Sequence, residues 1–246
     1  MGRFQNEMEH QQIGGTNFGF SAAKISDGAS EYTLVTVVVD VSGSTSRFID
    51  VMEKCLKDII GSCRLSPMAD TLRLRVVRFD TQVSEVHGFK DLPDCNENDY
   101  IGVLTPGGAT ALYDATFASV KAMTQYGKQL VQQHFTVNAA LFVITDGDDN
   151  ASSSTRKMVA DAITDARTGE AVESIMPVLI GVNVDPTSGL NQYLDDFKNE
   201  GGFQQYVAVD KMDAKAGARL AGFISKSISS QAQARNSGGP SKSLSF

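Results

Sequence analysis

Residues 32–44 constrain this chain more than any other stretch. Residues 33–39 read Thr-Leu-Val-Thr-Val-Val-Val and stop at Asp40-Val41-Ser42-Gly43-Ser44. Seven β-branched or apolar residues in a row describe a strand buried on both faces. Immediately beyond, Phe48, Ile49, Met52, Cys55, Leu56, Ile59, Ile60 and Cys63 recur at helical spacing, which predicts a helix over 46–63 with Ser46 as its N-cap. A buried strand running straight into an amphipathic helix is the first crossing of an α/β sheet. Such sheets bind ligands beyond the carboxyl ends of their strands. There, one carboxylate and two hydroxyls stand at alternate positions, a set suited to a hard cation.

The remaining chain keeps the same alternation. Strands are predicted over 72–79, 81–89, 137–145, 174–182 and 203–209, and helices over 111–133, 154–168, 190–200 and 213–230, the last capped by Asp213. Arg73 and Arg75 alternate with Leu72, Leu74 and Val76. Residues 81–89 read as the second arm of an edge hairpin turning at Asp80-Thr81. Residues 18–25, Asp27-Gly28 and the strand from Tyr32 read as strand, turn, strand, giving the core strand either an antiparallel partner or a lead-in. The predicted architecture is a doubly wound, mostly parallel sheet with helices on both faces and one antiparallel edge strand. It is one α/β domain over 32–230, with an N-terminal extension over 1–31 and a flexible basic tail over 231–246.

Charge narrows the partners. The net charge is −7, yet from Ala214 onward Lys215, Arg219, Lys226, Arg235 and Lys242 meet no Asp or Glu; that end carries +5 and leaves −12 for the rest. An acidic body argues against nucleic-acid binding. Cys55, Cys63 and Cys95 are odd in number and lack CxxC spacing, so they are expected as free thiols, two in a helix core and one in a loop. No signal-peptide pattern and no run of 18 apolar residues occur, so no membrane contact and a cytoplasmic setting are expected.

Two further loops complete the oxygen-rich set. Gly107-Gly108-Ala109-Thr110-Ala111-Leu112-Tyr113-Asp114 precedes a long helix, and Ile144-Thr145-Asp146-Gly147-Asp148-Asp149-Asn150 follows the second strongly hydrophobic strand. Asp40, Ser42, Ser44, Thr110 and Asp146 are oxygen donors only, which favours Mg²⁺, Mn²⁺ or Ca²⁺ over a soft metal. In order and spacing the three motifs resemble the von Willebrand factor type A domain with its metal-ion-dependent adhesion site, over about residues 32–230. The resemblance implies that Ser42, Ser44 and Thr110 ligate the cation, with Asp40 and Asp146 binding directly or through water. It also implies that an acidic residue of a partner protein fills the last position. It further implies an intracellular bacterial or phage adaptor, partnered by an AAA+ ATPase or a stress-response assembly. The sequence departs from the pattern at Thr45, where many members carry Met, in the extensions at both ends, and at Asp148 and Asp149, which add charge beside the site and either favour Ca²⁺ or a water beyond the direct ligands, or are simply solvated.

The bland alternatives weigh less when the three loops are taken together. Asp40, Ser42 and Ser44 alone could simply cap a helix. Asp80 and Asp114 read as turn or helix residues, Asp148 and Asp149 as solvated, and His10, His87 and His134 as surface or edge residues. No enzyme motif is complete. A P-loop lysine is missing after Gly108, Val41-Ser42-Gly43 lacks the first glycine of a nucleophile elbow, and no histidine sits in a triad context. The expected function is therefore a non-enzymatic, cation-dependent protein–protein interaction module. Alternatives are a self-assembling protein using its basic tail, with homo-oligomers, and a metal-dependent hydrolase.

Overall fold

The central strand, β3 (Glu31–Asp40), is buried from its second residue to its last. Its periodicity of two sends Val35, Val37 and Val39 to one face and Tyr32, Leu34 and Val38 to the other. The computed structural model describes residues 8–23, 30–233 and 244–246. In chain order the other strands are β1 (Met8–Gln12), β2 (Gly19–Ala23), β4 (Leu72–Phe79), β5 (Val83–Asp91), β6 (Thr136–Thr145), β7 (Ser174–Val182) and β8 (Gln205–Val209). The helices are α1 (Ile49–Arg64), α2 (Leu112–Gln132), α3 (Arg156–Thr168), α4 (Gly189–Glu200) and α5 (Ala214–Gln233). The eight strands run β1-β2-β5-β4-β3-β6-β7-β8, antiparallel only at β1–β2 and β4–β5. Helices α1 and α5 cover one face and α2, α3 and α4 the other. This is the predicted doubly wound α/β architecture, and its order reverses beside β3, which pairs in parallel with both β4 and β6.

The amino-terminal prediction changes in three ways. Neither edge of β3 is left for an antiparallel partner, because β4 and β6 fill both. The strand before it, β2, pairs instead with β5 at Ala22 and Phe89, so β5 is interior rather than an edge. The reason is Gly88: a Cβ there would lie 1.9 Å from the Ser21 carbonyl oxygen, so only glycine admits the β2 backbone. Third, the Gln-rich segment from Met8 is a strand of its own, turning through Gly15 in the left-handed region at φ 76°. The predicted Asp27-Gly28 turn lies outside the described residues.

Alternation on β4 holds, with both faces buried. Leu72, Leu74 and Val76 face α1 and α5, while Arg73 and Arg75 are sealed under α2 and the hairpin. Arg73 pairs with Asp91 at 2.8 Å and stacks on Tyr32, and Arg75 pairs with Glu85 at 2.6 Å. Glu85 also accepts the Ser21 N–H.

Helix starts are mostly as expected. Asp213 accepts the Lys215 and Ala216 amides. Ser46 does not cap α1: Gly43–Arg47 forms a 3-10 turn, and the Ser46 hydroxyl donates to the Gly43 carbonyl. At the far end α5 continues to Gln233, past the expected start of a flexible tail. Buried Gln231 anchors it by donating to the Ala139 carbonyl and Ser174. Residues 244–246 return to pack on the body. All three cysteines are free and buried, Cys95 included. Among the described residues no helix is long and apolar enough to cross a membrane.

Candidate functional site

Strand register builds the site. Val39 pairs with Ile144, so the last residues of β3 and β6 lie side by side. The Thr145 hydroxyl therefore donates to Asp40 Oδ2 at 2.6 Å, across 105 residues of sequence. The other oxygen, Oδ1, accepts the Ser42 N–H at 2.8 Å. Ser44 Oγ donates to Asp146 Oδ1 at 2.7 Å and lies 3.1 Å from Ser42 Oγ. A hydroxyl carries one proton, and that of Ser44 is committed to Asp146, so Ser42 is the donor to Ser44. Asp40 and Ser42 are buried, Asp146 is half-buried, and Ser44 is open to solvent.

The third loop is laced in by its backbone. Gly107 N–H donates to the Val41 carbonyl at 2.7 Å, and Gly43 N–H to Gly108 at 3.2 Å. Gly108 has φ 68°, and a Cβ there would lie 2.7 Å from Thr81 Oγ1, which itself accepts the Ala109 N–H. Thr110 is held from both sides: its N–H donates to Asn150 Oδ1 at 2.8 Å, and its carbonyl accepts the Asn150 N–H at 3.0 Å. Its hydroxyl stands 3.6 Å from where a Cβ on Gly147 would be, facing the Asp146 turn. All five residues singled out in the sequence thus come to one rim, at the carboxyl ends of β3 and β6.

Electrostatically the rim is strained toward negative. Burial pushes the Asp40 carboxyl up to about 6, against the lowering effect of the Thr145 and Ser42 hydrogen bonds, and the charge of Asp146 adds to the rise. Burial raises Asp146 as well, opposed by its Ser44 bond. Two carboxylates and three hydroxyls with no nitrogen or sulfur donor suit an oxygen-seeking divalent cation. Among the described residues no group of three or more His, Cys, Asp or Glu is placed to hold a metal. A site here would depend on the hydroxyls.

Several supporting residues escape a sequence reading. Thr145 is hidden inside the strand that it ends. Thr45 donates to the Ser42 carbonyl at 2.8 Å, so the residue at the variant position braces the ligand loop directly. Asp149 is no solvated carboxylate: it accepts from Ser152 Oγ and the Tyr113 N–H, and its own N–H donates to Tyr193. Asp114, buried in the first turn of α2, accepts the Ser153 and Ser154 amides. Only the Asn in Asp-Asn150, a residue able to bond backbone on both sides, offered a signal. His87, expected at an edge, is buried, with its ring bonded to Tyr100 and the Gly88 carbonyl; pairing of β2 onto β5 makes that strand interior.

Solved structures share this fold. The von Willebrand factor type A protein from Catenulispora acidiphila superposes with TM-score 0.59 at 15% identity, over 85% of this chain and 44% of that one. The fold is von Willebrand factor type A-like. The PilB minor pilin from Streptococcus sanguinis gives TM-score 0.58 at 17% identity, over 89% of this chain and 66% of that one. Proximal thread matrix protein 1 from the mussel byssus, solved with a zinc-occupied MIDAS motif, gives 0.51 at 16%, over 81% and 46%. This chain therefore spans less than two thirds of each of these neighbours. No protein-family model and no curated protein sequence matches it. At such identities the likeness establishes the von Willebrand factor type A-like fold alone.

Proposed function

We propose that this chain is a non-enzymatic protein–protein interaction module whose grip on its partner depends on a divalent cation, Mg²⁺ first, with Mn²⁺ or Ca²⁺ as substitutes. The observation that carries the reading is the 2.7 Å bond from Ser44 to Asp146, which closes the loops after β3 and β6 into one oxygen-lined rim, to which the Gly107–Val41 and Gly43–Gly108 bonds tie the Thr110 loop. Ser42, Ser44 and Thr110 would hold the cation, with Asp40 and Asp146 binding directly or through water. A bound cation would supply an electrophilic coordination position for a partner's Asp or Glu. Thr145 and the Ser42 amide keep Asp40 oriented, Asn150 fixes Thr110, and Thr45 steadies Ser42. Solvent exposure of Ser44 leaves the rim reachable by a side chain from outside. Pilin and thread-matrix neighbours of the same fold support an interaction role at a coarse level. A reducing, cytoplasmic setting is part of the proposal and rests on the three free cysteines.

A pull-down from native lysate in Mg²⁺ and in EDTA, with Asp146→Ala alongside, tests this. A partner retained only in Mg²⁺ and lost with the variant is expected. Capture indifferent to both would sink the cation-bridged reading.

A further inference from the structure

The outer face of α5 carries a groove that already holds a peptide. Leu244 and Phe246 pack against the hydrophobic layer on that side of the sheet. The Phe246 ring stands edge-on to Phe223, with centroids 5.8 Å apart at 87°, and the Arg219 guanidinium lies 4.6 Å from its centroid. Gln205, the first residue of β8, donates through Nε2 to the Leu244 carbonyl at 2.9 Å. Arg219, Gly222, Phe223 and Lys226 on α5 and the segment Leu244-Ser245-Phe246 line a hollow of about 520 Å³ between them. A Cβ on Gly222 would meet nothing within 4 Å, so the floor of the groove is open there.

These contacts divide recognition in a familiar way. An aromatic anchor sits between a ring edge and a cation, and a main-chain carbonyl fixes register. The tether to the anchor is longer than the span it has to cover. Ten residues, 234–243, join the end of α5 to Leu244. Extended, they reach about 35 Å at roughly 3.5 Å per residue. Arg219 lies only about 21 Å back along the helix at 1.5 Å per residue. A segment held by a few side chains, on a tether longer than its span, can leave and return.

We propose that the α5 groove is a peptide-docking site for the segment Leu244-Ser245-Phe246, closed by the chain's own copy and opened to the same segment of a second copy when the first departs. The site lies apart from the cation rim and does not depend on it. A tether of this length holds its own segment at an effective concentration on the order of millimolar, so the free groove is masked in the intact chain.

The test is fluorescence anisotropy with a labelled peptide of residues 241–246, titrated with the full chain and with a chain shortened by residues 244–246. Saturable binding to the shortened chain, and binding at least tenfold weaker to the intact one, are expected. A peptide with alanine for phenylalanine should lose binding, and so should the shortened chain carrying Gly222→Leu, which fills the hollow from an open helix position. Full-length Phe246→Ala provides a second route should the shortened chain fail to fold, and should bind the peptide about tenfold better than the native chain. Binding no tighter than to a scrambled peptide, or equal binding by native and opened chains, would overturn the proposal.

Discussion

The β4–β5 flank and the rim beyond β3 both bury charge, and they settle it differently. On the flank each guanidinium meets a carboxylate: Arg73 with Asp91, Arg75 with Glu85, both arginines essentially inaccessible. At the rim two carboxylates face each other's field, and the bonds that Asp40 receives come from a hydroxyl and an amide. A closed pair adds little net stability, yet breaking it strands a charge in low dielectric. The rim has no such internal answer. Charge balanced from within marks architecture; charge left over is what the proposed cation would balance.

The largest expected effect lies on the flank. Arg75→Ala should cost about 3–5 kcal/mol in urea unfolding, because Glu85 is left unpaired beneath the hairpin. Asp146→Asn in EDTA should instead stay within about 1 kcal/mol of the native chain, since Ser44 keeps an acceptor and one negative charge is gone. If the two variants cost the same, the contrast fails.

Next comes acid sensitivity beside the same strand pair. Burial lowers His87 to about 4, and the charges of Lys90 and Arg75 push the same way. The unfolded chain then binds more protons than the folded one between roughly pH 6.5 and 4. Stability is therefore present above that window and falls as pH drops through it, by roughly 3 kcal/mol in all. His87→Gln should flatten that slope in denaturant titrations across the range.

The rim should answer to cations by a similar amount. Mg²⁺ at a hundred times its dissociation constant should stabilise the native chain by about 2.7 kcal/mol and leave Asp146→Asn unmoved. Thermal melts with and without EDTA read this directly, and an equal shift in both chains would assign the effect to another site. The smallest effect should come from the exposed Lys54–Asp58 pair on α1. Lys54→Ala should change stability by no more than about 0.5 kcal/mol, which sets the scale for a pair left in water.

Much of this was legible in the residues, and the boundary is physical. Strands buried on both faces announce themselves by unbroken apolar runs, so β3, β6 and β7 fall where residues 33–39, 137–145 and 174–182 place them. Asp40, Ser42, Ser44 and Asp146 were legible because parallel β3 and β6 put their carboxyl ends on one rim, whereas Thr110, in the loop before α2, was legible only as part of a motif. What pattern could not supply was long-range pairing. Polar Met8–Gln12 becomes a strand only because β2 is there to pair with it, and Gly88 admits β2 only through a backbone approach that no periodicity records. Thr145 and Thr45 matter through hydroxyls aimed at neighbours, and their composition is that of any strand or turn threonine.

The two outermost strands carry a consequence for crowded conditions. β1 and β8 are five residues each, while β3 and β6 run to ten. β1 reads Met-Glu-His-Gln-Gln, with three of its five residues exposed, and β8 starts at Gln205, whose side chain is engaged by the Leu244 carbonyl. Short borders, one of them polar, make poor templates for a neighbouring molecule's backbone. Copies of this chain should therefore resist merging into continuous sheets at high concentration, and any ordered array would have to be stitched through side chains.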